Sequence, residues 1–267
     1  MASKPLPLFR RAIADSWRSM IGWSLGVMAA LLLYLPLFPS IGGSPDMLEL
    51  LDSLPPELVN AIGYDQIATG AGYTQSTFYG LIGFLLLTIA GTSWGTAAIA
   101  GDEETGSLEL TLAHGVSRTQ LVLERTAAVV VRLAWLGLLS ALVVLALNDS
   151  AELGIEPAHA FAAAAALVGL TLLSATVAVV VGALTGRRLF ATAAGAGVAV
   201  LGYALNAIAN QSEDLDPLHA WSPYHWAYGA RPLADGVDWG GLGLLYGISA
   251  ALVLLAVVAL NRRDVTG

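Results

Sequence analysis

Few residues in this sequence could do covalent chemistry. Gly91-Thr92-Ser93-Trp94-Gly95 matches Gly-x-Ser-x-Gly, the pattern of a hydrolase nucleophile elbow, but an elbow needs a sharp strand-to-helix turn. Here the motif lies inside a continuous apolar run that reads as helix. Counted from residue 79 at one membrane surface, Ser93 sits about 21 Å deep. His114 falls in a polar linker and His159 at the outer end of another apolar run, so neither could serve as its base. His219 and His225 have no third ligand at metal-binding spacing. Zero cysteines exclude thiolate, disulfide and Cys-zinc chemistry. The only lysine, Lys4, follows no glycine-rich phosphate loop, so the chain has no ATP site of its own. No catalytic, cofactor-binding or metal-binding residue is expected on it.

The elements that could position such residues are apolar throughout. Of 267 residues, 56% are hydrophobic and only 12% charged, with a mean hydropathy of +0.70. No water-soluble domain of this size presents that balance to solvent. Uncharged runs at 21–39, 79–100, 127–147, 158–184, 189–209 and 240–260 each approach or exceed the length that crosses a bilayer as a helix. They are continuous, not alternating, and rich in Leu and Ala, which disfavours a β-barrel. The expected fold is all-α: one polytopic membrane domain, 1–267, with six transmembrane helices. The first run is too long for a signal-peptide core and lacks a small-residue cleavage site.

Basic residues sort to one side of these spans. Lys4, Arg10, Arg11, Arg18, Arg118, Arg125, Arg132, Arg187, Arg188, Arg262 and Arg263 fall on one face and Arg231 alone on the other. By the positive-inside rule both termini are cytoplasmic. Thirteen acids against one arginine leave −12 outside, and eleven basic residues against seven acids leave +4 inside. The net charge of −8 and pI of 4.8 thus hide two opposite faces, and nothing here points to nucleic acid. Arg132 lies one or two turns inside the third span, where its side chain can snorkel to the interface or serve a pathway. Asn206 in the fifth span is a second candidate pathway residue, although such residues more often hold helices together. The glycines of the Ser93 motif, with Gly22/Gly26 and Gly243/Gly247, read as helix-packing positions.

Three segments do not span. Residues 1–20 place Phe9, Ile13, Trp17 and Met20 at helical spacing, the pattern of an amphipathic interfacial helix, either a membrane anchor or a docking element. In the outer segment 40–78, Met47, Leu48, Leu50, Leu51 and Leu54 form a stripe broken by Pro55-Pro56, so short helices are expected there. The outer segment 210–239 holds Trp221, Tyr224, Trp226, Tyr228 and Trp239, expected as belt residues at headgroup level.

The cytoplasmic segment 101–126 carries the most information. Thr105 or Ser107 can cap a short helix bearing Leu108 and Leu112, which Gly115 ends. Ser117 with Gln120 then reads as a capping box opening the helix of the third span. Asp102, Glu103, Glu104 and Glu109 lie near Arg118 and Arg125, leaving an acidic surface suited to a basic partner.

These residues resemble the permease subunits of type-2 ATP-binding-cassette (ABC) exporters, which share Glu-Glu-x-Gly-Thr/Ser-Leu-Glu followed by Val-Ser-Arg after the second span. This chain has Glu103-Glu104-Thr105-Gly106-Ser107-Leu108-Glu109, then Val116-Ser117-Arg118, with Gly115 where proline usually stands. The six-span layout, Ser222-Pro223-Tyr224-His225-Trp226 and the Arg262-Arg263-Asp264 end fit the same pattern. The resemblance implies that the 101–126 hairpin is the coupling element that seats in a separate ATPase, which holds ATP and Mg²⁺. It further implies a second permease copy, identical or related, an N-terminal helix packed beside the hairpin, and short re-entrant helices in 210–239. The expected setting is the plasma membrane of a prokaryotic cell, in contact with lipid. The expected task is export of a hydrophobic or amphipathic substrate such as a drug, antibiotic or lipid. A non-transporting scaffold or sensor whose hairpin binds a soluble partner is the competing expectation.

Overall fold

The computed structural model describes residues 6–41 and 69–263. The stripe at 47–54 lies outside the described residues. Helix α1 (Pro7–Asp15) is followed by α2 (Trp17–Ser40), α3 (Gly70–Glu104), the short α4 (Ser107–Ala113), α5 (Arg118–Leu147), α6 (Pro157–Thr185) and α7 (Arg188–Ala209). A 3-10 segment (Glu213–Trp221) leads into α8 (Pro223–Tyr228), α9 (Pro232–Asp235) and α10 (Trp239–Arg262). Among the described residues there are no strands, and α2, α3, α5, α6, α7 and α10 are long and apolar enough to cross a membrane.

The last three spans match the sequence expectation within two residues, and the first three extend beyond it. Ser16 separates α1 from α2, so the interfacial helix ends at Asp15 and the first span starts at Trp17. Span α3 starts early because the Thr69 hydroxyl caps it, accepting the Gly72 N–H at 3.0 Å. Span α5 starts at the Ser117 cap and runs unbroken into the apolar region.

Helix α6 is the hub, with 83% of its most apolar stretch buried against 17% for α10. It packs against α3, α5, α7 and α10. A helix apolar all round belongs in such a place, and small residues let its neighbours close on it. A Cβ at Gly95 would run into the Ala175 carbonyl, and one at Gly91 would press on Leu133 and Ala175. Those two glycines are packing positions, as expected. Gly22, Gly26, Gly243 and Gly247 pack on no other helix of this chain, since a Cβ at each would meet nothing within 4 Å among the described residues. They sit on faces of α2 and α10 that point away from the chain.

Helix α3 is wound as a π-helix at both ends, over Gln75–Ile82 and Ala97–Gly101. Side chains from other elements fill carbonyls in these windings. Tyr228 and Tyr224 donate to the carbonyls of Tyr79 and Gly80, each at 2.9 Å, and Arg188 Nη2 donates to that of Gly101 at 2.9 Å.

Candidate functional site

The end of α3, the whole of α4 and the start of α5 form a hairpin at the end of the molecule where both described termini also lie. Two left-handed residues shape it, Gly106 (φ 72°) before α4 and Gly115 (φ 83°) after it, a conformation glycine adopts without steric cost. Gly115 does end α4, and its N–H donates to the Leu112 carbonyl at 3.1 Å. The expected caps at Thr105 and Ser107 are not formed. Both hydroxyls turn back, donating to the Asp102 carbonyl at 3.2 and 3.1 Å at the open end of α3. The capping box is half made. Ser117 Oγ accepts the Gln120 N–H at 3.1 Å, but the Gln120 side chain turns along α5, its amide NH2 donating to Glu124 Oε1 at 2.7 Å, and does not accept the Ser117 backbone N–H.

Leu108 is fully buried, packed with Ile99, Leu121, Val179 and Leu260, and half-buried Val116 joins this cluster. The hairpin is therefore seated on α3, α5, α6 and α10 through its apolar face. Its charges tie it down further. Glu103 pairs with Arg263 beyond α10, Glu104 accepts the Arg188 N–H at 2.8 Å with Arg188 Nε at 3.5 Å, and Asp102 pairs with Arg125 at 2.6 Å. Arg118 meets none of the acids. Its Nη1 donates to the carbonyls of Leu260, Asn261 and Arg263 at 3.0, 3.3 and 2.7 Å, closing the C-terminus of α10 where a cation is favoured. The acids near the hairpin start are thus occupied within the chain, in contrast to the expected open acidic surface. The tip is exposed, with Glu109, Leu110 (66% exposed), Ala113 and His114 free of such ties, beside the exposed turn at Thr105 and Gly106.

A cavity of about 380 Å³ opens between α3 and α7. It is lined by Thr88, Thr92, Ser93, Thr96 and Thr192 together with apolar residues, and Arg188 stands at its hairpin end. Thr96 and Thr192 share a hydrogen bond at 3.1 Å, while the buried hydroxyls of Thr88 and Thr92 have no partner. Ser93 lies within helix, as the sequence implied, and no histidine lines the cavity. The two candidate pathway residues lie elsewhere. Arg132 is buried on α5 with its head turned to the interfacial helix α1: Nη2 donates to the Ala12 carbonyl at 2.5 Å, with the guanidinium 5.5 Å from the Trp94 ring centre. Asn206 is half-buried in the last turn of α7. The hydroxyl-lined cavity was illegible beforehand, because isolated threonines in apolar runs carry no periodic signal; their recurrence on one side of α3 at 88, 92 and 96 is the only trace.

At the opposite end, α8 and α9 fold back as short helices against α6. Trp221 and Trp239 are exposed as belt residues would be, but Tyr224 and Tyr228 turn inward to α3, and Trp226 and Tyr224 join the core. His225 stacks on His219 with ring centres 4.0 Å apart, and His219 reaches Asp216 at 3.0 Å and Asn210 at 2.8 Å. Burial foremost, and then the neighbouring His219, push the His225 imidazole below its ordinary pKa, partly opposed by Asp216 and Asp238.

No curated protein matches the chain. The pattern of the family described as ABC-2 family transporter protein matches residues 6–265, which takes in every described span and the hairpin. The chain therefore belongs to the ABC-2 transporter family and is a membrane permease component of an ABC transporter.

Proposed function

We propose that the chain is the membrane half of an exporter, with the hairpin end in the cytoplasm and a separate ATPase seated on the hairpin tip. That partner holds ATP and Mg²⁺, and a second permease copy, identical or related, completes the pathway. What supports the reading most is the construction of the hairpin. Its apolar face, Glu103 and Glu104 bind it to the ends of α7 and α10, while Glu109, Leu110, Ala113 and His114 stand exposed at the tip, where a partner can meet them. Such a knob transmits force because it cannot yield independently of the helices that hold it. Glu103, Glu104 and Arg118 then act as the internal ties of the coupling element, with Gly106, Leu108, Val116 and Ser117 shaping it.

The cavity between α3 and α7 suits a hydrophobic or amphipathic substrate such as a drug, antibiotic or lipid. It offers hydroxyls and apolar contacts, and Arg188, its one charge, is already held by Glu104 and the Gly101 carbonyl. Binding there depends on shape and hydrogen bonding more than on charge pairing. The test is reconstitution in lipid vesicles with and without the candidate ATPase. The chain alone should hydrolyse no ATP, and the complex should hydrolyse it faster when an amphipathic dye is added and should move that dye. A partner without ATPase activity that binds the hairpin, with no transport, would make the chain a scaffold or sensor.

A further inference from the structure

Helix α1 has no buried residue of its own, which is what a lipid anchor needs. Both of its ends are nevertheless held by buried charges on α5. Glu124 is only 4% exposed. Its Oε2 accepts the N–H groups of Leu8 and Phe9 at 2.8 and 2.9 Å, and its Oε1 accepts the Gln120 amide. Leu8 and Phe9 are the second and third residues of α1, where a helix start leaves donors open, and Leu6 at the cap position supplies no side-chain acceptor.

Two turns further along α5, about 12 Å away, the guanidinium of Arg132 donates to the Ala12 carbonyl near the other end of α1. It is 8% exposed and lies over Trp94 of α3. The signs match the dipole of α1, with the anion at its N-terminus and the cation toward its C-terminus. A third tie follows in the first span, where Trp135 Nε1 of α5 donates to Ser24 Oγ of α2 at 3.1 Å. Helix α5 starts at the hairpin and α1 leads through Ser16 into α2.

We infer that Glu124 and Arg132 are positioning residues that clamp α1 to α5, so that α1 moves with the hairpin as one body and carries its displacement into the first span. This rests on the proposed exporter function for its consequence, and on geometry alone for the clamp. Replacing either buried charge by an apolar residue of similar size removes the tie without leaving an unpaired ion, so folding should survive.

The test uses the full chain with its ATPase in lipid nanodiscs or vesicles, as Glu124→Leu, Arg132→Met and the double variant Leu6→Asp/Glu124→Leu. Spin labels on cysteines replacing exposed Arg10 and Leu123 report the α1–α5 distance without any need for the ATPase. The expected result is a narrow distribution in the parent chain that broadens in both single variants, with substrate moved per ATP falling about five-fold or more. Leu6→Asp places a carboxylate at the positive N-terminus of α1 beside the same two N–H groups, so it should support the helix but restore neither the narrow distance nor the ratio. An unchanged distance in both single variants, or full rescue by Leu6→Asp, would overturn the clamp. A parent chain that moves no substrate while its distance still responds to the variants would refute the exporter reading and leave the clamp standing.

Discussion

Leu110 is the residue on which the docking argument turns. It is 66% exposed on the outward face of a helix whose opposite face buries Leu108. Substitution there should leave the fold almost untouched, within about 0.5 kcal/mol, because nothing in the chain depends on it. Full burial of a leucine is worth roughly 1.5–3 kcal/mol, so covering the exposed two-thirds in a partner groove would contribute about 1–2 kcal/mol. Leu110→Ala should then weaken ATPase association about 5- to 30-fold at 1.4 kcal/mol per decade. Leu110→Glu keeps the helix propensity but places an unpaired carboxylate in the same contact, which costs several kcal/mol more and should abolish the complex. The assay is co-purification and ATP hydrolysis beside a thermal melt of the permease. Wild-type association by Leu110→Glu at wild-type melting temperature would refute the idea that the tip is the docking surface.

Glu103→Gln acts inside the hairpin instead: it deprives half-buried Arg263 of its carboxylate and should cost about 1–3 kcal/mol, read as a lower melting temperature before any loss of binding. Gly95→Ala should lower the melting temperature by an overpacking penalty of about 1–3 kcal/mol, whereas Gly22→Ala and Gly247→Ala, which open into space, should melt near wild type. Single cysteines replacing Ala113, Ser150 and Ser212 should label from the cytoplasm, the outside and the outside respectively; external labelling at Ala113 would invert the topology. The lowered pKa of His225 means that its contribution is complete above the ordinary value of 6.5 and is lost as pH falls through that value, since the unfolded chain then binds the extra proton. Fluorescence melts of Trp221 and Trp226 between about pH 7.5 and pH 5 should show this loss, and His225→Gln should flatten it; an unchanged slope in that variant would assign the effect elsewhere.

Length and hydropathy determined six helices long and apolar enough to cross a membrane, because hydropathy is a sum over local sequence that needs no knowledge of neighbours. The same holds for the turn at Gly115 and the cap at Ser117, where the backbone's own needs select the residue. Partnership was not legible in this way. Glu103 and Glu104 look in sequence like a free acidic surface beside Arg118, yet they close on Arg263 and Arg188, which lie 160 and 84 residues away. Arg118 in turn is drawn to the open carbonyls of α10. Glu124 attracts no notice in the chain and becomes the cap of a helix more than a hundred residues distant. Gly91 and Gly95 pack within the chain while Gly22 and Gly247 do not, although the spacing reads alike, because the difference depends on which face α6 occupies. A charge or a glycine states what a site can accept; only the convergence of helix ends and faces in three dimensions decides what is brought there.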